Sequence, residues 1–458
     1  MITKATTADA YRLLHEGTLA FARAEQAGMR IDVEYCEKKK AFLTKKINRL
    51  EEQIKATKFV QHWQHVYGNK FNMGSSWQLG KMLYDVKKIA PARLTPTGKG
   101  STDDKALSDL NIPELNMILE VRKLTKIRDT YLEAFIREQV DGVLHPFFNL
   151  NLVRTYRSSS DHPNFQNIPK RDEESMQICR RAIHPRLGHQ LVEIDYSGIE
   201  VRIAACYHKD PTMLDYINDP KTDMHRDMAC QLYCFDFMSK EIPAHKQLRN
   251  AAKNGFVFPQ FYGDYYGNNA ISLACDWGKL PPGRWKSGQG IPLPSGHLSD
   301  HLISHGIKSL EQFTEHVKKI EKHFWSVRFP IYAHWKEQWW ANYQHRGYLD
   351  MYTGFRCSGV MGKNDTSNYP VQGSAFHCLL WSFIEVDSMA LREKWDSRLI
   401  GQIHDAMLFD MHPDELKYVV GATKQITCQG LPKAWPWIIT PMDVDVEIHP
   451  VDKSWADK

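Results

Sequence analysis

Only nine of the 458 residues are cysteine, and no two form a CxxC pair, so a disulfide framework of the secreted kind is excluded and the thiols read as reduced. No stretch approaches the roughly 18 consecutive apolar residues of a membrane span. The opening MITKATTADAYRLLHEG has no apolar segment of a secretory signal. A cytoplasmic protein with no membrane partner is expected. An excess of one charge is also missing: 59 Lys and Arg against 54 Asp and Glu leave +5, too little over this length to name a polyanionic partner. No repeat of solenoid period is visible. The segment TPTGKGST at 95–102 lacks the first glycine of a phosphate-cradling loop and reads as a flexible connection. A composition of 42% hydrophobic and 25% charged residues rules out a mostly disordered or fibrous chain, and the length asks for two or three domains.

The placement of charge says more than its sum. From Glu37 to Lys58, Lys38, Lys39, Lys40, Lys45, Lys46, Arg49, Lys55 and Lys58 face only Glu37, Glu51 and Glu52, and eight minus three equals the whole excess of +5. Leu43, Ile47, Leu50 and Ile54 recur there at helical spacing, which predicts an amphipathic basic helix over 33–57. Such a helix is either a solvated surface element or a rod along a phosphate backbone. A second helical stretch over 113–139 ends before Gly142 and Pro146, so a helical subdomain closes near residue 140. The Gly/Pro-rich segment from Gly278 to Gly296 reads as an insertion in an otherwise helical region.

Two carboxylates stand where chemistry is expected. Leu191 to Ile194 form a short apolar strand ending on Asp195, followed by Ser197 and Glu200 at capping-box spacing. Far downstream, two apolar strands over 399–403 and 407–409 flank His404 and Asp405, predicting a hairpin with a carboxylate at its tip. Paired carboxylates on adjacent strand ends suit Mg²⁺ in two-metal phosphoryl transfer. Between them, Arg249 and Lys253 lie four apart on one helix face, with Phe258 and Tyr262 beyond, a set able to hold a triphosphate and stack a base.

These residues carry a resemblance to the family A, polymerase I-like DNA polymerases. Its motifs here are Thr155-Tyr156-Arg157 with Pro163-Asn164-Phe165-Gln166-Asn167-Ile168-Pro169; Asp195-Tyr196-Ser197-Gly198-Ile199-Glu200-Val201-Arg202; Arg249, Lys253 and Tyr262-Gly263; Tyr369-Pro370-Val371-Gln372-Gly373; and His404-Asp405, all in the family's order. The resemblance implies a multidomain α+β right hand, with helical thumb and fingers and a palm on an antiparallel sheet. It divides the chain into an N-terminal segment (1–32) packing on palm or thumb, thumb (33–140), palm (141–205), fingers (206–347, insertion at 278–297) and palm again (348–458). It implies DNA synthesis from dNTPs on a primer-template, with two Mg²⁺ (Mn²⁺ as a substitute) at Asp195, Asp405 and the backbone carbonyl of Tyr196. His225 would join Arg249 and the catalytic Lys253 on the phosphates, Phe258 would pack beside the nucleotide, and Tyr262 would stack near the template base. Glu200 would bar a ribose 2′-hydroxyl. Arg157 and Gln372 would read the minor groove, with Asn167, Asn368, His404 and the basic-helix residues Lys38, Lys39, Lys45 and Lys46 also on DNA. A monomer is implied, open to a processivity factor or other replisome partners.

The chain departs from the family at Ala406, where a second acid is usual, at Asn364, where arginine is common, and at Gly198, where glutamine is common. Asp410 cannot replace the missing acid, since five strand residues put it about 16 Å away. No proofreading nuclease is expected, because the similarity begins within the first few dozen residues, and the insertion suggests a bacteriophage type. A single-subunit RNA polymerase is disfavoured by Glu200 and Gln166-Asn167-Ile168-Pro169, and a silent primer-template or replisome scaffold by the intact Asp195 and Asp405. Lys253 and Tyr262 lie nine apart where the family has eight, and Pro259 sits between them. One extra residue taken up as a π-bulge or break within 253–259 would relieve the proline's clash and return Phe258 and Tyr262 to the face of Arg249 and Lys253.

Overall fold

The apolar residues of Gln190–Tyr196 (β1) are buried on both sides, as expected of a strand in the middle of a sheet. In the computed structural model, which describes residues 5–95, 97–170 and 172–457, β1 sits inside a four-stranded sheet with Arg398–Ile403 (β2), Ala406–Met411 (β3) and Val444–Ile448 (β4). The order is β2-β3-β1-β4, and every pairing is antiparallel. The register sets Asp195 of β1 between Ala406 of β3 and Asp445 of β4. Ile403 opposite Ala406 leaves His404 and Asp405 as a two-residue hairpin turn, as the sequence predicts. His404 has a φ of 52°, the left-handed conformation that such a tight turn demands.

Helices cover this sheet. Thr7–Ala27 (α1) opens with a capping box between Thr6 and Asp9. It packs on the 31-residue helix Lys363–Glu393, which we number α7, where Arg23 Nε donates to Asp387 at 2.8 Å. Val33–Lys55 (α2) buries Leu43, Ile47 and Ile54 against Pro113–Lys126 (α3), which continues through a π-turn to residue 138. Past β1 come Ile199–His208 (α4), Met224–Tyr233 (α5) and Pro243–Ala252 (α6). Gly373 of α7 lies against the Thr155 carbonyl, where a Cβ would come within 2.3 Å, so only glycine lets the loop carrying Arg157 approach this helix. The far end of the 33–140 region meets residue 276 through Arg93, which bonds both Asp109 (2.7 Å) and Asp276. All nine cysteines are free, and among the described residues no helix is long and apolar enough to cross a membrane.

The expected irregularity after α6 is present. Lys253–Val257 is a π-helix, with the Phe258 N–H donating to the Lys253 carbonyl, and the α-helix resumes as Phe258–Phe261 with Pro259 in its first turn. Proline lacks a donor and its ring strikes the carbonyl four residues back in a regular α-helix; the wider π-turn just before it relieves that clash.

The basic helix carries more ion pairs than its sequence suggests. Lys46 is paired with Glu120 (3.0 Å) and Glu174 (3.4 Å), Lys38 with Glu34, and Lys40 with Glu133, while Lys39 lies over the Phe42 ring. Of its cations, Lys40 and Lys46 are thus paired with acids distant in sequence, and Lys38 with an acid of its own helix.

Candidate active site

Asp195 occupies the penultimate position of β1, and Asp405 the adjoining turn. The Tyr196 N–H donates to the Asp405 carbonyl at 3.1 Å, tying the turn to the end of β1. The Tyr196 ring points inward, its hydroxyl bonded to Ser382 at 2.7 Å. Burial pushes the Asp195 carboxyl up to about 6, with repulsion from Asp405, Glu193 and Asp445 adding to it and Lys170 opposing. Burial also raises Asp405, against the pull of Arg157 and His404. Among the described residues no three His, Cys, Asp or Glu converge as a metal cage. Two adjacent, poorly compensated carboxylates are hard oxygen donors, and Mg²⁺ is commonly held by one or two such groups together with water and phosphate oxygens. The pair therefore fits the implied metal. Ala406 is buried opposite Asp195, and Asp410, paired with Leu191 and bonded to the Arg186 N–H at 2.7 Å, lies outside the site.

Asp405 opens onto a pocket of about 540 Å³ that Arg157, Gln372, Asn368, Phe258 and Tyr262 also line. Glu200, on the pocket wall, accepts from the Tyr262 hydroxyl and pairs with Arg157. The capping box predicted with Ser197 does not form: the helix is capped by Gly198 in a left-handed conformation, and the Ser197 hydroxyl donates instead to Asp445 at 2.8 Å. The carboxylate of Glu200 is left for the pocket.

A cationic cluster adjoins the pocket through Phe258. Lys253 Nζ lies 5.3 Å from the Phe258 ring centre, and His225 meets the same ring edge-on at 5.6 Å. Arg249 Nε donates to Asp223 at 2.8 Å. Burial, then the charges of Arg249 and Lys253, push the His225 imidazole down to about 4, and its buried Nδ1 has no hydrogen-bond partner among the described residues. Arg249, Lys253 and Asp195 are not on the pocket wall itself, so of the residues expected in one cleft the pocket holds Asp405, Phe258 and Tyr262. Asp223, missed by the sequence reading, caps α5 through the Arg226 N–H and anchors Arg249. Its signal was its place just before Met224, where a helix start favours aspartate.

His404 also borders a groove of about 950 Å³ between α3 and residues 165–175, lined by Asn167, Lys123, Lys126 and Lys170. Lys38, Lys39, Lys45 and Lys46 are not on this groove. Its cations come from α3 and from the segment before β1. A further set went unread: Gln402 accepts from Ser158 (2.7 Å) and Gln166 (2.5 Å) and donates to the His404 carbonyl, fixing the hairpin turn against the 158–166 loop.

The profile described as DNA polymerase family A matches residues 33–278. A thermostable DNA polymerase I of Thermus thermophilus is 28% identical over 441 residues, 93% of this chain and 46% of that protein. DNA polymerase I of Aquifex aeolicus is 29% identical over 439 residues, 95% of this chain and 65% of that protein. A solved structure, the POL domain of Pol1 from M. smegmatis in complex with DNA primer-template and dNTP, has the same fold, with a TM-score of 0.72 at 23% identity over 96% of this chain and 70% of that one. The chain spans about half the length of the first of these relatives. These relatives are bacterial and lend no support to the bacteriophage type.

Proposed function

The chain belongs to DNA polymerase family A, and from that premise we propose that it is a template-directed DNA polymerase in which a primer 3′-hydroxyl attacks the α-phosphate of a dNTP and pyrophosphate leaves. The observation that carries this reading is the neighbouring pair Asp195 and Asp405, both held above the usual carboxylate range by burial, with Asp405 opening on a pocket walled by Glu200 and Tyr262 and His404 bordering both that pocket and a groove lined by Lys126 and Lys170. In this reading 33–140 is the thumb, 141–205 with 348–458 the palm, and 206–347 the fingers. Two Mg²⁺, or Mn²⁺ in their place, held by Asp195, Asp405 and the Tyr196 carbonyl, would supply charge stabilisation to the attacking and leaving oxygens. Arg249, Lys253 and His225 bind the triphosphate, and Lys253 places positive charge where the leaving group becomes more negative. Phe258 and Tyr262 flank the nucleotide, Arg157 and Gln372 face the primer terminus, and Asn167, Asn368 and His404 line the path of the duplex. The test is single-nucleotide addition on four templates differing in one base: only the complementary dNTP should be added, and equal addition of all four would overturn the reading.

Two predictions follow from these placements. Glu200 caps no helix but pairs with Arg157 and accepts from Tyr262, so Glu200→Ala should lower thermal stability modestly and raise ribonucleotide incorporation relative to deoxyribonucleotide; unchanged sugar discrimination would remove the gate. Replacing Lys126 and Lys170 by Gln should weaken duplex binding and reduce the log-log salt slope by about one unit per lost phosphate contact. The same change at Lys39 and Lys45 should leave the slope alone, and a slope that responds only to α2 would place the duplex on the other side of the thumb.

A further inference from the structure

Ser197 directs its hydroxyl away from the helix it precedes, and its backbone is committed to the same part of the chain. Its N–H donates to the Asp443 carbonyl at 2.9 Å and its hydroxyl to Asp445 at 2.8 Å, residues just before and just inside the start of β4. Its carbonyl accepts from Arg202 Nε at 2.8 Å, and the same guanidinium donates to the Pro441 carbonyl at 2.5 Å. The Ser197 N–H and the Tyr196 carbonyl belong to one planar trans peptide unit and point opposite ways. With the N–H turned to β4, the Tyr196 carbonyl faces the other flank of β1, where β3 and the Asp405 turn lie. The Tyr196 N–H, bonded to the Asp405 carbonyl at 3.1 Å, points to that flank as well.

Asp445 holds this serine from a place unfavourable to the sheet. It stands directly across from Asp195, and like charges opposed on antiparallel strands destabilise the pair. On the other flank of Asp195, Ala406 brings no carboxylate. Nor does Asp445 close a metal cage with Asp195 and Asp405 among the described residues, so the group it serves is the Ser197 hydroxyl. Resting on the polymerase reading above, we propose that Asp445, acting through Ser197, is a positioning residue that sets the plane of the 196–197 peptide and so aims the Tyr196 carbonyl at the metal site beside Asp405. The site depends on this aim because position 406 supplies no further acid. Removing a group that orients a metal's ligand lowers metal affinity by about 10- to 100-fold.

The test compares Ser197→Ala, Asp445→Ala and Asp445→Asn, the last retaining an oxygen that accepts from a serine hydroxyl. Mn²⁺ is titrated into the protein on a primer-template whose primer ends in a dideoxynucleotide, and free Mn²⁺ is read by electron paramagnetic resonance. Asp195→Ala gives the baseline for ions held by the DNA. Ser197→Ala and Asp445→Ala should bind Mn²⁺ about tenfold more weakly than wild type, and Asp445→Asn should recover most of the loss. The Mg²⁺ concentration that half-saturates primer extension should rise in the same order. The melting temperature of the metal-free Asp445 variants should not fall, because the repulsion with Asp195 is relieved. Wild-type Mn²⁺ affinity in Ser197→Ala and Asp445→Ala would overturn the positioning role. So would an Asp445→Asn as weak as Asp445→Ala, which would show that the charge acts and not the bond. A melting temperature that falls in step with Mn²⁺ affinity would reduce the contact to support of the fold and overturn it equally. A wild type that binds no more Mn²⁺ than the Asp195→Ala baseline would instead remove the metal assignment on which the polymerase reading stands, whatever the other variants do.

Discussion

Asp195→Ala and Asp405→Ala are each expected to lower primer extension by about a thousandfold or more while leaving primer-template affinity within about twofold. The size follows from the several kcal/mol of charge stabilisation that a bound divalent ion supplies, each 1.4 kcal/mol being about tenfold in rate. Duplex affinity should survive because the groove is lined by other residues, Lys126 and Lys170 among them. Structure should survive too: burial disfavours both ionised carboxylates in the metal-free protein, and Asp405 adds repulsion at Asp195, so neither side chain is a large source of folding stability. Extension by either variant within tenfold of wild type would remove the carboxylate pair from the chemistry. Loss of duplex binding together with activity would assign it to the DNA instead.

The second large effect is expected at Lys253. Lys253→Met should reduce kcat/KM for dNTP addition by about 100-fold or more, the scale of losing one preorganised charge at a reacting phosphate. Duplex affinity should not change, since Lys253 lies with His225 and Phe258 and away from the groove. A fall in kcat with KM unchanged would mean that the charge matters in the transition state, whereas a rise in KM alone would reduce Lys253 to ground-state binding. Normal kinetics would detach the cationic cluster from the nucleotide.

The parts of this site that were legible in the sequence are those fixed by short-range constraints. A short apolar run rich in β-branched residues and ending on Asp195 reads as a buried strand with a carboxylate at its end, and two apolar strands around His404 and Asp405 place a two-residue turn between them. The π-turn over Lys253–Val257 was readable because the proline clash and the ninth residue of spacing both demand it. What was not legible depended on partners remote in the chain. Charge counting in α2 could not see Glu120, Glu133 and Glu174, which arrive from other helices to pair with Lys40 and Lys46. The spacing of Ser197 and Glu200 satisfies a capping box, yet Ser197 is drawn to Asp445 and Glu200 to Arg157 and Tyr262, so long-range bonds override a local pattern worth about 1 kcal/mol. The groove cations of α3 and the Gln402 network were missed for the same reason.

The central claim is that the chain copies a template using Asp195, Asp405 and a divalent ion. Its most direct test is extension of a labelled primer on a defined template by the purified chain, with dNTPs or NTPs, and with Mg²⁺ present or removed by chelation. Extension with dNTPs and Mg²⁺, lost on chelation, restored by added Mg²⁺ and far weaker with NTPs, is the predicted result. No extension under any of these conditions, or equal extension with chelator present, would contradict it.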